Sequence, residues 1–218
     1  MHYKKQIEIV IDLISISVRT APKSAGVDDI IFLAASNVQK NRIAAEMIKI
    51  GREKSKGQSN KVVRQAMITS WSSDAVTVKK SDGLVLIGVK GKKPLGLNCG
   101  GCGFKSCAEF KACVLKDKKS SVIGPFCIFK IWDLGIAIDS AAKTASMLNV
   151  DNRIMYKIGM AVLRLRMFGK TRKAVSACDS ISPVLGLPLS VSGKNIYFDR
   201  FDKLEAAKTL SDYFKAKR

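Results

Sequence analysis

Apolar positions along this chain recur with two periods, one helical and one extended. Ile7, Ile9, Val10, Leu13, Ile14 and Ile16 read as the buried stripe of an amphipathic helix over residues 4–18. Pro22 and Gly26 punctuate the loop that follows. The run Ile30-Ile31-Phe32-Leu33-Ala34-Ala35 predicts a buried strand. Ser36 or Asn37 can cap the next helix, which carries Ile43, Ala44, Met47, Ile48 and Ile50; Gly51 and the polar stretch up to Asn60 mark its end. A further helix is predicted over 61–71, a short strand over 74–78, and the clearest strand over 84–89 after Asp82-Gly83. Residues 133–148 read as a helix rich in small side chains (Ala137, Ser140, Ala141, Ala142, Ala145), a face that lets two helix backbones approach closely. Asn149-Val150-Asp151 breaks it. Asp151 is the expected N-cap of a helix carrying Ile154, Ile158, Ala161, Val162 and Leu165 and stopped by Gly169. A strand over 184–189, a turn at Ser192-Gly193-Lys194-Asn195, a strand over 196–198 and a helix over 204–214 complete the pattern. The class this predicts is α+β, a mixed sheet flanked by helices.

Composition sharpens the picture. With 218 residues and a 47% hydrophobic share, residues 1–218 are expected to form one domain with a filled core. Basic residues number 38 against 18 acidic ones, a net charge of +20 that attracts anions, acidic partners or nucleic acid. Six cysteines stand against a single histidine, His2 beside Met1, which excludes most imidazole-based catalysis. Lys4 and Lys5 ahead of an apolar stretch have the outline of a signal peptide, but Glu8 and Asp12 interrupt it and no small-residue cleavage site follows. No run of about 18 apolar residues occurs, so no membrane span is expected and the location predicted is cytoplasmic. In a reducing cytosol, clustered cysteines are more often metal ligands than disulfides.

Five of the six cysteines lie close together in the chain. Cys99-Gly100-Gly101-Cys102-Gly103-Phe104-Lys105-Ser106-Cys107 is followed by Cys113 and then by Cys127. Three thiols on one tight, Gly-rich loop are the arrangement an iron–sulfur cluster requires. Gly100, Gly101 and Gly103 let the loop wrap a compact inorganic core, and their N–H groups can point at cluster sulfurs. Lys92, Lys93, Lys105 and Lys111 can offset the net negative charge of a thiolate-bound cluster. The fourth ligand is either Cys113 or Cys127. Cys127 is preferred, because Gly124-Pro125-Phe126 is a turn that can bring the chain back. The iron–sulfur segment expected is therefore 97–127. A four-thiolate structural zinc site is the main rival, although zinc sites usually use two paired C-x2-C hooks and only one is present. Cys178 stands alone between Ala177 and Asp179 and reads as a buried or neutral thiol.

The stretch from Gly88 through Lys90-Gly91-Lys92-Lys93-Pro94 to Asn98-Cys99-Gly100-Gly101-Cys102-Gly103-Phe104 resembles an uncharacterised prokaryotic family known for a ferredoxin domain. So do Arg19-Thr20-Ala21-Pro22-Lys23, Asp133-Leu134-Gly135-Ile136-Ala137, Asn149-Val150-Asp151-Asn152-Arg153-Ile154-Met155-Tyr156, and Pro188-Leu189-Ser190 with Gly193-Lys194-Asn195. That resemblance implies cluster ligands at Cys99, Cys102, Cys107 and Cys127. A weaker likeness, in element order and in the loop Ala21-Pro22-Lys23-Ser24-Ala25-Gly26, is to the flavin-dependent nitroreductases. It implies a nitroreductase-like fold carrying an inserted Cys-rich loop, flavin mononucleotide (FMN) at the interface of a homodimer, and Arg19, Lys23 and Lys194 as cations for the flavin phosphate. Gly26-Val27-Asp28 stands where those enzymes carry Asn followed by Gln-Pro.

Residues 79–119 hold ten basic and three acidic residues, and residues 153–173 hold seven basic and none acidic. The bland reading is a solvated surface with a preference for anions; the sharper ones are docking of an acidic electron-transfer partner or contact with nucleic acid. Arg153, Lys157, Arg164 and Arg166 do not share one helix face. No basic–aromatic interleaving offers a stacking platform, and Gly100-Gly101-Cys102-Gly103 lacks phosphate-loop spacing. Asp133, Asp139 and Asp151 read as caps or surface residues. The function expected is therefore an electron-transfer protein with one 4Fe-4S cluster. A flavin-linked oxidoreductase relayed by that cluster is the first alternative. A basic nucleic-acid-binding protein with a structural four-cysteine metal site is the second.

Overall fold

The computed structural model describes residues 3–113, 124–168, 181–193, 195–197 and 201–216, the last without the side chains of residues 201–204. Among the described residues the helices are α1 (Lys4–Thr20), α2 (Asn37–Ser55), α3 (Lys61–Lys80), α4 (Cys107–Ala112), α5 (Ile128–Met147), α6 (Tyr156–Arg164) and α7 (Phe201–Lys215). The strands are β1 (Ile30–Ala34), β2 (Gly83–Val89), β3 (Asp151–Asn152) and β4 (Val184–Ser190). They form one sheet in the order β1-β2-β4-β3. The three strand pairings are antiparallel, and a parallel bridge joins Lys90 to Ser182.

The alternation of side chains along β2 divides the core in two. Val85, Ile87 and Val89 face a layer built from α1 and α5, where Ile7, Ile14, Val18, Leu134, Ala137, Ile138 and Ala141 pack. Leu84 and Leu86 face the opposite layer, in which Ile43, Met47, Trp71, Val78 and Ile158 come from α2, α3 and α6. Every residue of β2 is buried, as expected of a strand covered on both faces. The predicted α+β class is the one observed. No described helix is long and apolar enough to cross a membrane.

Several expectations hold in detail. Ser36 caps α2 in a reciprocal box with Gln39, each side chain taking the other's backbone N–H. Ala137, Ala141 and Ala145 are fully buried where α5 passes α1, and Ser17 Oγ donates to the Ser140 carbonyl at 3.3 Å.

Others are corrected. The strand predicted over 74–78 is part of α3, which runs unbroken to Lys80. Trp71, Ala75 and Val78 sit at helical spacing and are all buried, and nothing in the sequence stops the helix before Ser81. Gly51 does not end α2. It lies inside it, where a Cβ would come within 2.4 Å of Trp71 Cβ, so glycine is the residue that lets α2 and α3 touch. Helix α5 begins at Ile128 rather than at Asp133. Asp151 is a strand residue paired with Ser190, and Met155 takes the N-cap of α6. Ile196 and Tyr197 lie in a turn instead of a strand, and Gly169 and Phe198 fall outside the described residues.

The largest correction is on α1. Of the six apolar residues expected in one buried stripe, Ile7 and Ile14 are buried and Val10 is half-buried, but Ile9, Leu13 and Ile16 are exposed.

Candidate metal centre

The cysteine segment leaves the sheet at the end of β2 and returns to the same place. The Gly91 N–H donates to the Ser182 carbonyl at 3.1 Å, and the Gly91 carbonyl accepts the Cys127 N–H at 2.8 Å. A Cβ on Gly91 would meet that Ser182 oxygen at 2.4 Å and the Phe126 ring at 2.9 Å, so the neck closes only around glycine. Cys127 then stands at the N-cap position of α5, without a side-chain capping bond, and is 5% exposed.

Between those points the loop is held by its own polar side chains. Gly100 and Gly103 have φ of 72° and 86°, and the Gly103 N–H donates to the Gly100 carbonyl at 2.9 Å, closing a tight turn around Cys102. Asn98, itself at φ 49°, accepts the Cys107 N–H on Oδ1 at 2.7 Å. Ser106 caps α4 by accepting the Glu109 N–H, and Glu109 Oε2 takes the Lys105 N–H at 3.0 Å. Phe110 is 3% exposed and meets Phe104 edge-on at 5.7 Å, which anchors the short helix α4. Gly101 rests on α5. A Cβ there would lie 2.8 Å from Ile128 Cγ2, with Cys99 Sγ only 3.7 Å away. Ile128 directly follows Cys127, so the Cys99–Cys102 turn sits beside the fourth expected ligand.

Cys99 is exposed, Cys102, Cys107 and Cys113 are half-buried, and all five described cysteines carry free thiols. Cys113 lies at the far end of α4, six residues on from Cys107, with its N–H donated to the Glu109 and Phe110 carbonyls. Cys178 and Lys194 lie outside the described residues. Among the described residues no three His, Cys, Asp or Glu side chains converge on a point that one metal ion would fill. Thiolates of a polynuclear cluster bind different irons and so stand farther apart than ligands of a single ion. Cys99, Cys102 and Cys107 share one loop whose Gly101 packs on Ile128, the residue after Cys127, and thiol donors of this kind suit iron–sulfur chemistry.

Beneath the loop lies a buried charge network that the sequence reading missed. Lys130, in the first turn of α5 and 1% exposed, sits 3.0 Å from Asp29 Oδ2 and 3.7 Å from Asp133 Oδ2 and donates to the Val27 carbonyl at 3.2 Å. Asp133 is no surface cap: it is 2% exposed, and its Oδ1 accepts both the N–H and the hydroxyl of Ser24. Lys93, from the cysteine segment, reaches Asp29 Oδ1 at 3.0 Å. Burial by itself would raise the Asp29 carboxyl, but the charged hydrogen bonds from Lys130 and Lys93 outweigh it and hold its pKa below the ordinary value. The signal was present, since Lys130 and Asp133 are the only charges in the otherwise apolar run 126–138 and stand three apart on one helix face.

The two described residues expected to meet a flavin phosphate are engaged locally. Arg19 pairs with Asp28. Lys23 donates to the Val18 and Arg19 carbonyls at 2.8 and 2.6 Å, closing the C-terminus of α1.

An uncharacterized protein of Archaeoglobus fulgidus is 40% identical to this chain over 187 residues, covering 86% of this chain and 88% of its own length. A family profile described as "Uncharacterized protein containing a ferredoxin domain (DUF2148)" matches residues 123–200, a span that includes Cys127 and leaves Cys99, Cys102 and Cys107 upstream. The chain belongs to this uncharacterized ferredoxin-domain family. Among solved structures, a nitroreductase with bound FMN from Desulfitobacterium hafniense DCB-2 is 12% identical, with 85% of this chain and 78% of that chain covered and a TM-score of 0.48. A BluB-like flavoprotein from Clostridium difficile 630 is 13% identical, with coverage of 85% and 81% and a TM-score of 0.49.

Proposed function

We propose that this protein is an iron–sulfur redox protein in which Cys99, Cys102, Cys107 and Cys127 hold one 4Fe-4S cluster. One observation carries the reading. Gly101 lies on Ile128, so a loop bearing three thiols meets the residue next to Cys127 although they are far apart in sequence. When bound, such a cluster accepts or gives one electron at a time. The chain's own residues supply the surroundings. Asn98, Ser106 and Glu109 fix the loop, and Phe104 packs edge-on against buried Phe110. Lys105 and Lys111 leave the rim basic, which suits an acidic redox partner. The thiols must stay reduced before iron arrives, which fits a cytoplasmic location.

Anaerobic purification followed by iron and sulfide analysis and electron paramagnetic resonance tests this reading. The expected result is a brown protein with about four irons per chain. Cys127→Ser should lose the cluster and Cys113→Ser should keep it. A colourless protein with stoichiometric zinc overturns the redox reading in favour of a structural site. The flavin-linked version requires FMN to be released on denaturation, and a chain that neither carries nor takes up FMN refutes it.

A further inference from the structure

The thiols of the cysteine segment do not meet solvent equally. Cys127 is buried and Cys102 and Cys107 are half-buried, whereas Cys99 is exposed. The exposed stretch around Cys99 runs without a break from Gly96 to Gly101. Three of its six residues are glycines, so a surface approaching Cys99 meets few side chains besides Leu97 and Asn98. Asn98 is tied to the Cys107 N–H. Leu97 is 57% exposed and is the exposed large apolar side chain of residues 90–113. An apolar side chain left in water two residues from the most accessible thiol gains free energy when a partner covers it.

Charge selects the partner. Residues 90–113 hold five lysines and one acid, Glu109. Elsewhere in the fold Arg19, Lys130 and Arg164 are each paired with carboxylates, and on the cysteine segment Lys93 is paired with Asp29. Lys105 and Lys111 are exposed and form no ion pair among the described residues. The bond between Asn98 and the Cys107 N–H brings the stretch from Lys105 to Cys107 beside Leu97 and Cys99. Lys111 stands one turn beyond Cys107 on the same face of α4. A single-stranded nucleic acid needs exposed aromatic rings to stack on. Residues 90–113 offer none, because Phe110 is buried and half-buried Phe104 packs edge-on against it. An exposed leucine beside unpaired lysines suits instead a protein surface that is apolar at its centre and acidic at its rim.

We propose that the exposed stretch from Gly96 to Gly101, together with Lys105 and Lys111, is the docking surface for an acidic one-electron carrier protein, which seats an apolar contact on Leu97 and comes closest to the metal centre at Cys99. The proposal rests on the iron–sulfur reading of the same cysteines and adds to it the partner and the side of approach.

Calorimetric titration of the full chain, purified anaerobically, tests it with a plant-type ferredoxin, an acidic one-electron carrier, as the probe. Binding should weaken as salt is raised from about 50 to about 200 mM. Lys105→Glu and Lys111→Glu should each raise Kd about tenfold, and Leu97→Ser about threefold without altering the salt dependence. All three positions are exposed, so the circular dichroism spectrum should not move. Lys80→Glu makes the same charge change on an exposed lysine at the end of α3, ahead of β2 and so at the opposite end of that strand from the cysteine segment, and should leave Kd unchanged. A chain that does not bind the carrier at low salt, that binds it equally well after the Leu97 and Lys105 substitutions, or that loses it with Lys80→Glu overturns the proposal. Tighter binding of a single-stranded oligonucleotide than of the carrier overturns it equally. Iron analysis of the same samples separates the two readings: zinc in place of iron removes both, whereas an iron-loaded chain that fails to bind the carrier overturns the docking surface alone.

Discussion

Replacing Lys130 with methionine tests whether the charges beneath the cysteine loop act as one latch. The ammonium is 1% exposed and faces two carboxylates that are 3% and 2% exposed. At an effective dielectric of about 20, the 3.0 Å contact to Asp29 has a gross Coulomb energy of about 5 kcal/mol. Removing the lysine also returns its own desolvation cost, so the net loss expected at pH 7 is about 3–5 kcal/mol. Lys93→Met is the control. Lys93 is 46% exposed, its pairing is screened by solvent, and its loss should cost well under about 1 kcal/mol. The pH dependence follows from the sign of the Asp29 shift. In the native protein the carboxyl is held low, so its stabilisation is complete above the unfolded value of about 3.9 and is lost only as pH falls through the lower folded value. Without Lys130 only Lys93 opposes the burial effect, and the Asp29 carboxyl rises. The deficit of Lys130→Met should then be largest at neutral pH and smaller in a parallel measurement at about pH 4.5, in the direction that favours protonation of Asp29. Urea unfolding followed by far-ultraviolet circular dichroism under anaerobic conditions measures it. A loss below about 1 kcal/mol at pH 7, or an equal loss at both pH values, would refute the reasoning.

Two further predictions concern the loop and the sheet. Asn98→Gly keeps the left-handed backbone but removes the acceptor for the Cys107 N–H, whereas Asn98→Asp keeps an acceptor. In metal-free protein the Cys107 amide should exchange with deuterium faster in Asn98→Gly and near the native rate in Asn98→Asp, with iron retention following the same order; indistinguishable exchange in all three proteins would dismiss Asn98 as an organiser of the loop. Gly159→Ala would place a Cβ 1.6 Å from the Val184 carbonyl oxygen, a backbone atom that cannot move aside, and should cost more than about 4 kcal/mol or abolish soluble expression. Gly135→Ala meets nothing within 4 Å in the middle of α5 and should add about 0.5–1 kcal/mol. Thermal melts of the pair decide the point, and similar midpoints would contradict the close approach of α6 to β4.

Much of the architecture was legible in the chain because it depends on local preference. Ser36 followed by Gln39 carries a helix start in its own chemistry, and the apolar run of β2 carries a strand buried on both sides. The spacing of Cys99, Cys102 and Cys107 raises the expectation of metal chemistry before any fold is known, because the three thiols share one short, glycine-rich stretch of chain. Period alone could not say how many faces of a helix are covered. The six apolar residues of α1 span too wide an arc for one core, and only the position of α5 showed which half remains outside. Nor could it place Cys127 beside the cysteine turn, settle Trp71, Ala75 and Val78 as helix rather than strand, or turn Asp133 from a surface cap into a buried partner of Lys130.

By itself, then, the sequence determined the helical and extended periods, the caps, the excess of positive charge and the cluster of thiols, since each is a property of neighbours along the chain. The tertiary structure decided the closing of the cysteine segment at Gly91, the burial of the Asp29–Lys130–Asp133 network and the exposure of Ile9, Leu13 and Ile16 on α1. Those depend on which distant segments the sheet brings into contact, and contact between distant segments is set by packing of the whole core.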